Sequence, residues 1–136
     1  PQLLLLDEPT ASLDPDIAIA VDVTNANDCN EEPTKIIGQG PTLTIKDEEM
    51  IANKCLNDHL KELSKKLNIP LQLEVSNYGT TDALNISLSK EGVPSTVLGV
   101  CIRNIHTMDG VADLNDIQNA IELLKAFLQK PPKNCT

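Results

Sequence analysis

The stretch Ile17-Ala18-Ile19-Ala20-Val21-Asp22-Val23 decides the fold. Its apolar run is too short for a helix and rich in β-branched residues, the composition of a strand buried on both faces. Such a strand needs helices over its sheet, and the chain downstream supplies them. Residues 25–42 are polar and rich in Pro, Gly and Asn, with Gly38-Gln39-Gly40-Pro41 as punctuation, so they read as loop before a short strand at 42–45. From 47 to 67, Leu56, Leu60, Leu63 and Leu67 recur at helical spacing. Asp47, Glu48 and Glu49 fall in the first turn of this predicted helix, and Lys61, Lys65 and Lys66 near its end, matching the helix dipole at both termini.

Asn68-Ile69-Pro70 stops the helix, and 71–75 alternates apolar and polar residues as a half-buried strand does. A turn at 77–80 leads to Thr81 and Asp82, suited to cap a short helix that ends at Glu91-Gly92. Residues 95–102, STVLGVCI, read as a second buried strand. Asp113 and Asp116 resemble a capping arrangement for a last helix whose stripe is Leu114, Ile117, Ile121, Leu124 and Leu128, ended by Pro131 and Pro132. Alternating strands and helices predict an α/β fold with a mostly parallel sheet and flanking helices.

Composition narrows the function. The 136 residues suit one domain, and their 40% apolar content suffices for a core. Tyr78 and Phe127 are the only aromatics, so stacking platforms for single-stranded nucleic acid are lacking. A net charge of −9 repels phosphate backbones and anionic membrane surfaces. No run approaches the roughly 20 apolar residues of a membrane span, and no leader pattern opens the chain. A soluble, cytoplasmic protein without nucleic-acid or membrane partners is expected. Cys29, Cys55, Cys101 and Cys135 form no CxxC pair and are expected as free, mostly buried thiols. Without a leader, the sequons at Asn85 and Asn134 read as chance matches.

Residues 1–15, PQLLLLDEPTASLDP, resemble the Walker B strand and D-loop of ABC-transporter ATPases. That resemblance implies that Asp7 reaches Mg²⁺ through water and Glu8 polarises the attacking water. The phosphate-cradling GxxxxGK[ST] loop and an LSGGQ-type signature are missing, so hydrolysis by this chain alone is not expected.

The body, residues 16–136, carries a second resemblance, spread over ordered blocks. PDIAIAVDVTNAND (15–28), IGQGPTLTIKD (37–47), the block around Gly79-Thr80-Thr81-Asp82-Ala83, Gly92-Val93-Pro94 and IRNIHT (102–107) resemble the C-terminal part of the glutamyl or deblocking aminopeptidases of the tetrahedral type. Members of that family were once labelled cellulase M or endoglucanase. The resemblance extends to residue 129 and implies part of a zinc-aminopeptidase catalytic domain. It also implies a pair of divalent metals, zinc or cobalt, and hydrolysis of N-terminal peptide bonds. It places one carboxylate ligand at Asp22 and one imidazole ligand at His106, both beyond or near the carboxyl ends of predicted strands, where ligands gather in open α/β sheets. Carboxylate and imidazole suit such metals, and two metals about 3.5–4 Å apart can activate water for amide hydrolysis.

Taken singly, Asp22 also reads as a turn or cap residue and His106 as a hydrogen-bonded loop residue; the blocks are what favour the metal. Thr81 and Asp82 are expected to cap the short helix and shape the site wall. Arg103 either orients a substrate carboxylate or pairs with an acid. His59, outside any block, is read as surface or packing. The family's upstream histidine, bridging aspartate and Glu-Glu pair have no counterpart here, so no catalytic base is identified. Thr80 stands where the family has glycine, a costly exchange if that position needs positive φ. Cys101 stands for a proline, and Gly110 for an acidic residue that Asp109 could replace. Three readings result: part of a metallo-aminopeptidase acting on peptides, a non-catalytic fold fragment or chimera serving in scaffolding or assembly, and an ABC-type ATPase fragment. A half sheet with open apolar edges favours homo-oligomers.

Overall fold

The computed structural model describes the backbone of residues 3–6 and all of residues 16–135. In chain order these residues form β1 (Leu3–Leu6), β2 (Ile17–Asn25), β3 (Thr42–Lys46), α1 (Lys54–Leu67), β4 (Gln72–Val75), α2 (Asp82–Ser87), β5 (Ser95–Arg103), β6 (Val111–Ala112) and α3 (Leu114–Gln129). One open sheet has the order β1-β2-β5-β3-β4, with β6 beside β5. The pairs β1–β2, β2–β5 and β3–β4 are parallel, while β3–β5 and β5–β6 are antiparallel. The long ladder runs from Ala18 opposite Ser95 to Asn25 opposite Ile102. It carries β2 past the predicted end at Val23, so Asp22 lies inside the strand.

Period-two alternation gives the sheet two different faces. On one, Ile17, Ile19, Leu43, Leu98 and Val100 join Leu56, Leu60 and Leu63 of α1 and Ala120, Leu123 and Phe127 of α3 in the main core. On the other, Ala18 meets Ile86 and Val93, and Ala20 and Val97 meet Met50, Ala52 and Ala83. Small side chains let the short α2 lie close to the strands. Beyond α2 the same row of β2 continues as Asp22 and Thr24.

Five expectations need correction. The short helix expected to end at Glu91-Gly92 ends at Ser87, with turns following it. The helix predicted from residue 47 starts at Lys54, with the Asn53 side chain accepting from the Leu56 amide at 3.1 Å. Asp47 instead accepts the amides of Glu49 at 3.0 Å and Met50 at 2.7 Å, and Lys46 bridges Ile51, so the acidic run closes a turn. The helix's first turn therefore holds no acidic residue, and Lys65 and Lys66 alone complement the dipole, at its end.

The stripe expected on α3 is rotated. Leu114 is 80% exposed and Ile117, Ile121 and Leu128 are exposed, while Asp116, Ala120, Leu123 and Phe127 face inward. Asp116 is the cause: its oxygens accept the amides of Gly38 and Gly40, each at 2.7 Å, and these two charge-assisted bonds fix the helix's rotation. Gly40 has φ +93°, and a Cβ there would lie 2.1 Å from the Pro70 carbonyl oxygen, so no other residue fits that approach. Asp113 caps α3 as expected, accepting from Asn115 at 2.7 Å and Asp116 at 3.3 Å.

In β4 it is Glu74 that is buried, whereas Leu73 and Val75 are exposed. The cysteines differ too: Cys55 and Cys135 form a disulfide across 80 residues, with Cα atoms 5.4 Å apart, while Cys29 and Cys101 are free. Burial raises the Cys101 thiol to about 11, which leaves it protonated and unreactive. Among the described residues no helix is long and apolar enough to cross a membrane.

Candidate functional site

A cleft of about 430 Å³ opens on the α2 side of the sheet, past the last residues that α2 covers. Asp22 and Thr24 of β2, Thr44 of β3, Glu74 of β4 and Gly99 of β5 contribute to its floor. Its rim is formed by residues 78–81 and by Ile105 and His106, which follow β5. Gly99 keeps the floor open: a Cβ there would lie 2.5 Å from Thr42 Oγ1.

Asp22 and His106 are thus brought to one cavity from adjacent parallel strands. Asp22 is exposed, and its Oδ1 accepts the Val23 amide at 2.7 Å. His106 is exposed in a turn and adopts φ +62°, the left-handed region that side chains other than Gly, Asn, Asp or His rarely enter. The charges of Lys35 and Glu74 in the cleft are engaged with each other. Lys35 Nζ donates to Glu74 Oε1 and Thr24 Oγ1, both at 2.8 Å; Thr24 Oγ1 donates to Glu74 Oε1 at 2.5 Å, and Thr44 Oγ1 donates to Glu74 Oε2 at 3.0 Å. Burial pushes the Glu74 carboxyl up, but the bonds from Lys35 and Thr24 outweigh it and hold it below its ordinary value. Sequence reading missed both Lys35 and Glu74. The alternation of 71–75 puts Leu73 and Val75 inward and Glu74 outward, so the local sequence carried no signal for its burial.

The remaining candidates divide. Thr81 occupies the N-cap position of α2 without a side-chain capping bond and lines the cleft. Asp82 lies in the first turn of α2, outside the lining. Arg103 pairs with an acid: its Nε and Nη2 donate to Asp28 Oδ1 and Oδ2 at 3.1 and 2.6 Å. The hydrogen bond from Arg103 holds Asp28 below the usual carboxylate range. Thr80 is not at positive φ; Gly79 takes that role with φ +78°, so the exchange is unstrained. His59 packs edge-on to Phe127, ring centres 5.5 Å apart, with Nε2 2.7 Å from the Lys130 carbonyl oxygen. Asp7 and Glu8 lie outside the described residues.

The donor chemistry of Asp22 and His106 fits a divalent metal, but their number does not complete a site. Among the described residues no group of three or more His, Cys, Asp or Glu is placed to hold an ion, whereas zinc sites use three or four protein ligands. The cleft also holds buried polar atoms without partners, Asp47 Oδ2 and Thr81 Oγ1. Buried polar groups are normally satisfied, so these two set the cleft apart from the core.

Comparison with known proteins shows the family of the chain and its fold. The M42 glutamyl aminopeptidase family matches residues 9–123, a span that contains both Asp22 and His106. A lysyl aminopeptidase of Pyrococcus furiosus is 36% identical over 122 residues, covering 88% of this chain and 34% of the relative. The aminopeptidase APDkam598 from the archaeon Desulfurococcus kamchatkensis superposes with a TM-score of 0.81 at 39% identity, over 85% of this chain and 34% of that one. More distantly, the Pyrococcus horikoshii TET1 peptidase, which can assemble into a tetrahedron or a large octahedral shell, shares the fold. Its TM-score is 0.71 at 23% identity, over 83% of this chain and 33% of that one. The chain spans about a third of the length of these relatives. With the family match running through most of its residues, the chain belongs to the M42 glutamyl aminopeptidase family.

Proposed function

We propose that the chain contributes one wall of a metal-dependent aminopeptidase site, with Asp22 and His106 as metal ligands and peptides as substrates. The observation that carries this is the convergence of a carboxylate and an imidazole on one cleft, from two neighbouring parallel strands. A zinc or cobalt ion held there supplies Lewis acidity and a lowered water pKa. The chain's own residues bind and shape. Asp22 and His106 present the donor atoms, and the Lys35–Glu74–Thr24 network keeps the floor rigid. The cavity's 430 Å³ falls within the range of about 300–1,000 Å³ of small-molecule sites, enough for a terminal residue. We place the general base and the remaining ligands in the two thirds of the relatives' length that this chain does not match.

Metal content decides the reading. After equilibration with Zn²⁺ or Co²⁺ and desalting, one to two ions per chain are expected, lost in His106→Ala. In the longer protein His106→Ala ends peptide hydrolysis, and retained full activity overturns the assignment. A chain that holds no ion is instead a non-catalytic fold module, a reading favoured by its two lone donors. The ABC-like reading rests on Asp7 and Glu8, and failure to bind a Mg²⁺-nucleotide analogue removes it.

Homo-oligomers are proposed from the half-exposed Leu73 and exposed Val75 of the edge strand β4, and light scattering tests them. A cytoplasmic location is one proposal, whereas the Cys55–Cys135 bridge suits an oxidising setting. Thiol titration of protein taken from its native cell separates these: four thiols indicate reduction, two the bridge.

A further inference from the structure

We infer that Asp28 and Arg103 are positioning residues for His106, clamping the turn that carries it to the loop that follows the Asp22-bearing strand. The inference rests on the reading of His106 as a ligand. It starts from the backbone. Beyond β5 the chain enters the left-handed region twice within three residues, at Asn104 with φ +56° and at His106 with φ +62°. Between them Ile105 and His106 are delivered to the cleft rim. A non-glycine residue stays in this region only when its surroundings over-determine it.

Two sets of contacts do so. Within the turn, the Thr107 amide and Oγ1 donate to the Asn104 carbonyl at 3.2 and 2.7 Å, the Asn104 Nδ2 donates to the Asp109 carbonyl at 3.2 Å, and the Asp109 amide donates to Thr107 Oγ1 at 3.3 Å. This closes the turn on itself, and the antiparallel pairing of Ile102 with Ala112 and Arg103 with Val111 holds its two ends together, but neither reaches the loop that follows β2. The second set supplies the anchor. Arg103, the last residue of β5, forks onto both carboxylate oxygens of Asp28, whose side chain is only 8% exposed. A planar bidentate pair fixes direction as well as distance, which a single hydrogen bond does not.

Asp28 is itself held in place. Its loop leaves β2 through the bond from the Ala26 amide to the Ile102 carbonyl at 2.8 Å. Asn27 then closes that loop, its Oδ1 accepting the amides of Thr34 at 2.9 Å and Lys35 at 2.7 Å. The same loop thereby delivers Lys35 to the cleft floor and Asp28 to Arg103. The clamp joins the extensions of the two strands that carry Asp22 and His106, and so sets the separation of the two side chains. Neither clamp residue lines the cleft, so both act through the turn.

The test is nuclear magnetic resonance of the ¹⁵N-labelled chain. Couplings between amide and α protons, and amide exchange, are read at 104–107 in the wild type, Asp28→Asn, Arg103→Lys and the swapped pair Asp28→Arg with Arg103→Asp. Both single variants are expected to lose the positive-φ couplings of Asn104 and His106 and to exchange the Thr107 amide about tenfold faster, with the β2–β5 ladder unchanged. The swapped pair restores protection. Unchanged couplings in both single variants overturn the inference, as does protection lost equally over the whole sheet, which marks a merely structural ion pair. Zn²⁺ titration keeps the two readings separable. A zinc-induced shift at His106 in the wild type, weakened in the single variants, supports both. If the wild type shows no such shift the ligand reading fails, while the couplings still decide the clamp.

Discussion

The two faces of the β2–β5 ladder obey the same alternation and do opposite things. Under α1 and α3, Ile17, Ile19, Leu98 and Val100 interlock in one continuous core. On the α2 side the row opens with Ala18 and Ala20, turns polar at Asp22 and Thr24, and faces a cavity. Among the described residues the buried side-chain atoms without partners, Thr42 Oγ1, Asp47 Oδ2 and Thr81 Oγ1, belong to this second side: two line the cleft, and Thr42 abuts Gly99 on its floor. The difference teaches where the chain is optimised for stability and where it is not. Satisfied, dense packing marks the first face; small residues, paired charges and orphaned oxygens mark the second, as expected where a fold gives up stability for a site.

The apolar face is where the largest loss should lie. Phe127 is fully buried in the main core and meets His59 edge-on. Phe127→Ala should cost about 3–5 kcal/mol, read as the drop in unfolding free energy in urea. A loss below about 1 kcal/mol would mean that this face collapses freely, and the contrast between the faces would disappear. The disulfide reinforces the same side by tying the tail to α1. Cys135→Ser, or reduction of the wild type, should lower stability by about 2–5 kcal/mol, because the bridge closes a loop of some 80 residues in the unfolded chain. Equal losses by the two routes would assign the effect to the bridge, since Cys29 and Cys101 are already free.

On the cleft face a single methyl group sharpens the contrast. Gly99→Ala places a Cβ 2.5 Å from Thr42 Oγ1, so β3 or the Thr42 rotamer must shift. A cost of about 1–3 kcal/mol is expected in the same urea experiment. A neutral result would show that the polar floor yields where the apolar core would not.

These contrasts also explain what could be read from the sequence. β2, β5 and the buried Leu56, Leu60 and Leu63 of α1 follow from local periodicity, which needs no knowledge of partners. α3 presents two competing stripes. The richer one, Ile117, Ile121 and Leu128, loses because Asp116 is held by Gly38 and Gly40, 78 and 76 residues away. Propensity and pattern carry no record of such a contact. Glu74 was hidden in the same way, its burial depending on Lys35 from a loop 39 residues earlier. The disulfide joins cysteines 80 residues apart in no recognisable spacing. Asp22 and His106 were legible only through the ordered sequence blocks around them, because a lone carboxylate and a lone imidazole carry no signature of their own. The backbone strain that presents His106 left no trace in the sequence.

That strain supports the smallest prediction and the most discriminating one. At φ +62° an imidazole side chain costs of order 1 kcal/mol relative to a residue without a Cβ, partly offset by the greater freedom of glycine in the unfolded chain. His106 is exposed and donates or accepts no hydrogen bond that would be lost with its ring among the bonds that hold the turn, which run through Asn104, Thr107 and Asp109. His106→Gly should therefore raise the unfolding free energy by up to about 1 kcal/mol, while Phe127→Ala and Gly99→Ala both lower it. A gain in stability that coincides with loss of bound Zn²⁺ is the signature of a residue kept for its chemistry against the preference of the backbone. A loss of stability instead would mean that the ring packs against the rim, and His106 would then belong with the apolar face rather than the cleft.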